Sequence, residues 1–237
     1  MRANPPKSAR RAGGGLDAAP DSFASDGISN SPRLEIMAFS ARSLILLTAL
    51  SVLVSACSEA ATPIADPTVD PIPAAMRWDD KAQSDEWTAA TFAALETHGS
   101  PLLSLAPGDI AAWCPAYPDA DEDQRAAFWA GMLSTLAKHE STWNPAAVGG
   151  GGRWFGLVQI APATARGYGC AAGSGAALQD GAANLSCAVR IAAVTVPRDG
   201  VVAAGGGGLA ADWGPFQSAR KREDMRSWIS AQSYCKP

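Results

Sequence analysis

The sequence predicts a mainly α-helical domain over residues 77–237, carried behind an export segment and a proline-rich spacer. Three observations predict it. Residues 121–140 place Trp129, Met132, Leu133 and Leu136 at three- and four-residue intervals, the spacing that lines one face of an α-helix. Helix start and stop signals recur on both sides, among them Ser84 followed by Asp85-Glu86, then Gly99, Pro162 and Pro197. Alanine and glycine are abundant among the 237 residues, which suits helices packed through small side chains.

Residues 1–36 are polar, hold Gly13-Gly14-Gly15 and show no periodicity, so they read as a disordered extension ahead of an expected start at Met37. Residues 37–56 read as a signal peptide, with Arg42 as the positive end and an apolar run from Leu44 to Val54. That run is too short to span a bilayer stably. Residues 57–76 repeat proline at Pro63, Pro67, Pro71 and Pro73, the composition of an extended tether. The folded part is expected from Arg77.

Within it, Ser84 is expected to cap a helix running to His98, with Trp87, Ala90, Thr91 and Leu95 facing inward and His98 in a structural role. Four prolines make residues 101–120 mainly loop, with a short helix around Asp109–Trp113. The helix at 121–140 has Asp119 or Asp121 as N-cap and acidic residues in its first turn, where the helix dipole favours negative charge. Gly149-Gly150-Gly151-Gly152 follows no strand and precedes no Gly-Lys-Ser/Thr, so it is not a phosphate loop. It reads as a flexible turn or as backbone lying close to a sugar. Pro162 opens a helix over Ala163–Gly167, another runs from Asn184 to Val194 and is ended by Pro197, and a last one covers Ser218–Ser230. Arg220, Lys221 and Arg222 on that last helix read as a solvated face, with attraction to anionic peptidoglycan or lipid as the alternative.

A net charge of -4 argues against nucleic acid as a main partner. With two histidines and no Cys-x-x-Cys or His-x-x-x-His pair, neither a metal site nor a cofactor is expected.

The apolar stripe of residues 129–136 has an unusual continuation. At 100° per residue, Glu140 lies about 20° from both Trp129 and Leu133, so a carboxyl group points where the core would take a leucine. Burial disfavours its ionised form. The helix ends at Asn144-Pro145, and the negative end of its dipole acts in the same direction. No Lys or Arg lies on the stripe. Glu140 is therefore a candidate for an acid still protonated near neutral pH, as a general acid must be; a solvated helix end, or a partner arginine from elsewhere, is the competing reading.

Glu140-Ser141-Thr142-Trp143-Asn144-Pro145, then Gly156-Leu157-Val158-Gln159-Ile160 with Pro162, Thr164 and Ala165, resembles the soluble lytic transglycosylase (SLT) domain of the lysozyme-like group. Val158 stands where the family usually has methionine. Asn184-Leu185 with Cys187 is similar to a third, weaker family segment. The resemblance implies a lysozyme-like helical fold and lytic transglycosylase activity on peptidoglycan. In such a reaction one glutamate protonates the glycosidic oxygen of a MurNAc-GlcNAc bond, then takes the proton of the sugar's 6-hydroxyl as a 1,6-anhydro ring closes. Carried over, Glu140 is the acid/base, Gln159 lines a sugar subsite and Ser141 steadies the acid. Trp154 and Phe155 are candidates for apolar contact with a saccharide face. For Ser141 a bond to the preceding helical turn is an equal alternative. Asp180, Asp199 and Asp212 are possible second carboxylates without a positional signal. The family's Ala-x-Tyr-Asn-x-Gly segment has no counterpart, since residues 202–208 hold neither tyrosine nor asparagine; Trp213 and Tyr234 are the aromatic groups left to reach the site. A muramidase that hydrolyses the same bond, and an inactive glycan-binding protein, are the alternatives.

Leu53-Val54-Ser55-Ala56-Cys57 resembles a bacterial lipobox, which implies lipid on Cys57, membrane attachment and a periplasm-facing place in the cell envelope. Ser58 is similar to outer-membrane sorting signals; ordinary cleavage after Ala56 is the competing reading. With Cys57 set apart, Cys114, Cys170, Cys187 and Cys235 allow two disulfides in three connectivities. Cys170–Cys187 and Cys114–Cys235 are the pairs favoured.

Overall fold

A computed structural model describes residues 74–237. The signal segment, the lipobox with Cys57 and most of the tether lie outside the described residues. Met76, at the end of the expected tether, is already core: it is buried, and its N–H donates to Asp79 at 2.9 Å.

Among the described residues, seven α-helices form the body: α1 (Ser84–Glu96), α2 (Ser100–Leu103), α3 (Glu122–Glu140), α4 (Pro162–Gly167), α5 (Gly175–Leu178), α6 (Gly181–Asp199) and α7 (Ala219–Ser230). Short 3₁₀ turns join them. Two two-residue strands, β1 (Val148–Gly149) and β2 (Trp154–Phe155), pair antiparallel in a hairpin. The long helix α3 is central. Asp121 caps it by accepting from the Gln124 N–H, while the Gln124 side chain accepts from the Asp121 N–H, which satisfies donors at both ends of the first turn. Every residue from Ala126 to Ala137 is buried. One face of α3 carries α7 and another α1, and α1 packs in turn on α6.

Small residues allow that close packing, as the composition suggests. The Tyr234 hydroxyl lies where a Cβ on Gly131 would be, and the Trp87 indole lies against Gly181. Tyr117, Phe128 and Trp129 stack edge to face. The Trp129 Nε1–H donates to the Tyr117 hydroxyl at 2.9 Å, and that hydroxyl donates to the Leu102 carbonyl, so the polar edges of buried rings are satisfied. Disulfides join Cys114 to Cys235 and Cys170 to Cys187, the two pairs favoured from the sequence.

Several expectations need correction. Ser84 is the first helical residue of α1, buried rather than capping, and Gln83 precedes it without a side-chain cap. Helix α6 is longer at both ends than the sequence suggests. It starts at Gly181, where Asp180 accepts from the Ala183 N–H, and runs through Pro197 to Gly200, whose φ of 68° stops it. Pro197 sits one turn from that end, so the bond it cannot donate is lost where the helix is already finishing. The β-hairpin was legible only as a turn, because strands of two residues carry no period.

Candidate active site

The end of α3 opens onto a cavity of about 400 Å³. Glu140 stands on its α3 side. The hairpin contributes Gly149, Gly150 and Trp154, the following turn contributes Gln159, the loop after α6 supplies Asp212–Pro215, and α7 adds Lys221. A smaller cavity of about 50 Å³ shares Trp154, Gln159, Asp212 and Trp213 and extends to Thr164.

Glu140 is half-buried, one turn beyond the fully buried Leu136. Among the described residues nothing donates a hydrogen bond to its carboxyl group. Burial pushes its pKa up from an ordinary 4.5 to about 7, while the Lys221 ammonium pulls the other way. The stripe itself holds no cation, as the sequence shows, but the fold brings one across from α7. The expected solvated face at 220–222 is thus broken up. Arg220 is exposed, Lys221 lines the cavity and donates to the His139 carbonyl at 3.4 Å, and Arg222 donates to the Phe216 carbonyl at 2.8 Å.

The preceding two residues fix the end of α3. Lys138 and His139 both reach Asp224 of α7, which also takes a bidentate pair from Arg77. Those partners hold the Asp224 carboxyl well below the usual carboxylate range. The clamp joins the chain's first described turn, α3 and α7, beside Glu140.

The Ser141 hydroxyl makes no hydrogen bond to the Glu140 carboxyl. It donates to the Leu157 carbonyl at 2.8 Å and contacts the Ala137 carbonyl, and it accepts from the Asn144 N–H. It ties the Glu140 motif to the Gly156–Ile160 motif. Buried Asn184 completes the tie from α6: its Oδ1 accepts from the Val158 N–H, and its Nδ2 donates to the carbonyls of Phe155 and Leu178, each at 3.0 Å. Gly156, with φ of 82°, lies so close to Asn184 and the Leu178 carbonyl that a side chain there has no room. From the other side, the Trp213 Nε1–H donates to the Val158 carbonyl at 2.8 Å.

Backbone strain gathers here. Among the described residues, the non-glycine residues with positive φ are Thr142, Trp143 and Gln159, all within the two motifs. Gln159 is held by its amide, which donates to the carbonyls of Ala147 and Gly156. Trp154 is 41% exposed at the cavity, with the Arg153 guanidinium 4.7 Å from its ring centre. Phe155 is a correction. Successive residues of a strand face opposite ways, and Phe155 turns inward against Gly175 and the core, away from the cleft.

The loop that lacks the family's tyrosine is pinned from behind. The Asp109 carboxylate accepts from the N–H groups of Val202, Ala203 and Ala204. Of the two aromatic residues left to reach the site, Trp213 lines it, whereas the Tyr234 hydroxyl donates to the Ala75 carbonyl, away from the cavity. Sequence reasoning missed Lys221 and Tyr168 as neighbours of the site. Only a period along α7 pointing at α3 could have indicated Lys221, and nothing in the sequence indicates Tyr168.

A family model described as the transglycosylase SLT domain matches residues 120–194, the span holding Glu140, Gln159 and Asn184. Among solved structures, wild-type DslA (form 2) is 31% identical with a TM-score of 0.62, over 68% of this chain and 98% of DslA. Two Glu-to-Gln variants of DslA match similarly. One is 31% identical with a TM-score of 0.61, over 67% of this chain and 96% of that one. The other is 30% identical with a TM-score of 0.62, over 68% and 97%. The chain belongs to the SLT transglycosylase-domain family. No curated protein matches it by sequence. At the level of the family, an SLT domain supports lytic-transglycosylase-type action on peptidoglycan glycan strands. The matched span ends before Asp212, Trp213 and Lys221, so one wall of this SLT cleft is built from residues outside it.

Proposed function

We propose that the protein is a peptidoglycan lytic transglycosylase with Glu140 as its single acid/base. The observation that carries this reading is the half-buried Glu140 carboxyl at the cavity, without a hydrogen-bond donor among the described residues and raised to about 7, so that at neutral pH it exchanges between the protonated form that gives a proton and the ionised form that takes it back. That proton goes to the glycosidic oxygen of a MurNAc-GlcNAc β-1,4 bond as the C1–O bond breaks. The 6-hydroxyl oxygen of the same MurNAc then bonds to C1, and its proton returns to Glu140. A 1,6-anhydro sugar leaves and no water is consumed. Trp154 and Gln159 line the cavity where the strand would bind.

In this reading the protein works from a membrane. Lipid on Cys57 anchors it, residues 58–73 hold the domain off the surface, and it faces the periplasm, in the outer membrane. Loss of labelled lipid and of membrane retention in Cys57→Ala tests the anchor.

Mass spectrometry of purified murein after incubation tests the chemistry. Anhydro-terminated fragments are expected, and Glu140→Gln releases none. Products heavier by one water identify a muramidase instead, and absence of products with retained binding identifies a glycan-binding protein.

A further inference from the structure

The cavity that holds Glu140 contains a second carboxyl group. Asp212 lines it, and also lines the smaller cavity beyond Gln159, so it stands where the two spaces meet. The other two candidate second carboxylates are already used. Asp180 caps α6, and Asp199 pairs with Arg198 while accepting from the Gly208 N–H. Asp212 has a different kind of partner: the Tyr168 hydroxyl, at the end of α4, donates to its Oδ2 at 3.4 Å.

We propose that Asp212 is a second catalytic carboxylate, ionised during the reaction and facing the positive charge that develops at the anomeric carbon, with Tyr168 as its positioning residue. This rests on the reading of the cavity as a glycan-cleaving site. The two carboxyl groups occupy contrasting surroundings, which is how a pair of like acids acquires different tasks. Glu140 continues an apolar stripe and has no donor among the described residues. Asp212 is exposed at the cavity wall, accepts from a phenol and has the Arg198 guanidinium in range. Burial and Asp199 push the Asp212 carboxyl up, whereas Tyr168 and Arg198 oppose them. Burial and the Asp212 charge keep the Tyr168 hydroxyl protonated and therefore a donor.

Cleavage leaves the bonding pair on the departing oxygen, which takes the Glu140 proton, and leaves C1 electron-poor until the 6-hydroxyl attacks. A fixed negative charge favours that cationic state over the neutral bound sugar, so it lowers the barrier without tightening substrate binding. Asp212 gains and loses no proton in the cycle.

Asp212→Asn and Tyr168→Phe are compared with the wild type and Glu140→Gln in murein digestion, with kcat and KM measured across pH and folding checked by thermal melts. Asp212→Asn is expected to lower kcat about a hundredfold, with KM and the identity of the products unchanged. Tyr168→Phe lowers kcat less and moves the acidic limb of the profile to higher pH, because Asp212 loses a donor. Arg198 and Asp199 around Asp212, and Glu140 and Lys221 across the cavity, remain intact in both variants. A folded Asp212→Asn enzyme within about twofold of wild-type kcat overturns the proposal, as does a loss confined to KM. An inert wild type overturns the functional reading itself, whereas an active wild type with an active Asp212→Asn variant overturns only this inference.

Discussion

Glu140→Gln removes the ionisation of one side chain at nearly constant volume, and its effect on stability follows from where that side chain sits. In the unfolded chain the carboxyl loses its proton near 4.5, whereas in the fold it keeps it until about 7. Between those values the folded state binds more protons than the unfolded state, so stability falls as pH rises through the window. Above it the fold carries an ionised, poorly solvated carboxylate. From 4.5 to about 7, at about 1.4 kcal/mol per pH unit, the cost has an upper bound of about 3 kcal/mol. Water reaching the group from the cavity lowers this to about 2 kcal/mol. A neutral amide at that position has no such cost, so the Gln variant is expected to be the more stable protein at about pH 8 and equal to the wild type at about pH 4. Urea unfolding at the two pH values, with unchanged m, measures the difference. A gap that is the same at both values would refute the burial argument, and so would a variant less stable than the wild type at the higher pH.

Three further substitutions test other parts of the structure. Lys221→Met removes the cation that opposes burial at Glu140, so the alkaline limb of the pH–rate profile moves to higher pH; an unmoved or lowered limb would show that the ammonium does not reach the acid. Asn184→Leu leaves the Val158 N–H and the carbonyls of Phe155 and Leu178 without their partner in a dry site, a loss of about 3 kcal/mol or more that a thermal melt reads as a drop of roughly 10 °C. Retention of the wild-type melting temperature would mean that water replaces the amide. Asp224→Asn strips Arg77 and Lys138 of a shared counter-charge and His139, whose pKa burial lowers, of a hydrogen-bond acceptor, and should destabilise the domain by about 1–3 kcal/mol at neutral pH. Because the native Asp224 carboxyl is held low, that contribution is present above the ordinary aspartate value and disappears only as pH falls through the lowered one, so the variant and the wild type converge in acid.

The parts of this molecule that could be read in advance are those whose signal is local. The period of α3, its aspartate cap (Asp119 or Asp121 by sequence, Asp121 in the fold) and the proline that opens α4 each act within one or two turns, so neighbours in sequence suffice to predict them. Glu140 belongs to the same class, because its position on the stripe follows from helical geometry alone. Ser141 stayed between two readings for a related reason, and its contact with the Ala137 carbonyl is the helical-turn alternative. A hydroxyl at a helix end has several possible acceptors, and the Leu157 carbonyl that takes its proton comes from a segment placed by the fold. Phe155 and Trp154 were indistinguishable until a strand gave them opposite faces.

By itself the sequence determined a helical domain, one acid directed at its interior and an even set of four cysteines whose pairing stayed open among three connectivities. It did so because helix periodicity, caps and cysteine parity need no knowledge of distant contacts. Only the tertiary structure decided what surrounds that acid. Lys221, Asp212 and Trp213 arrive from loops and helices more than seventy residues away in the chain, and Coulomb interactions and cavity walls depend on distance through space, which spacing along the sequence does not encode.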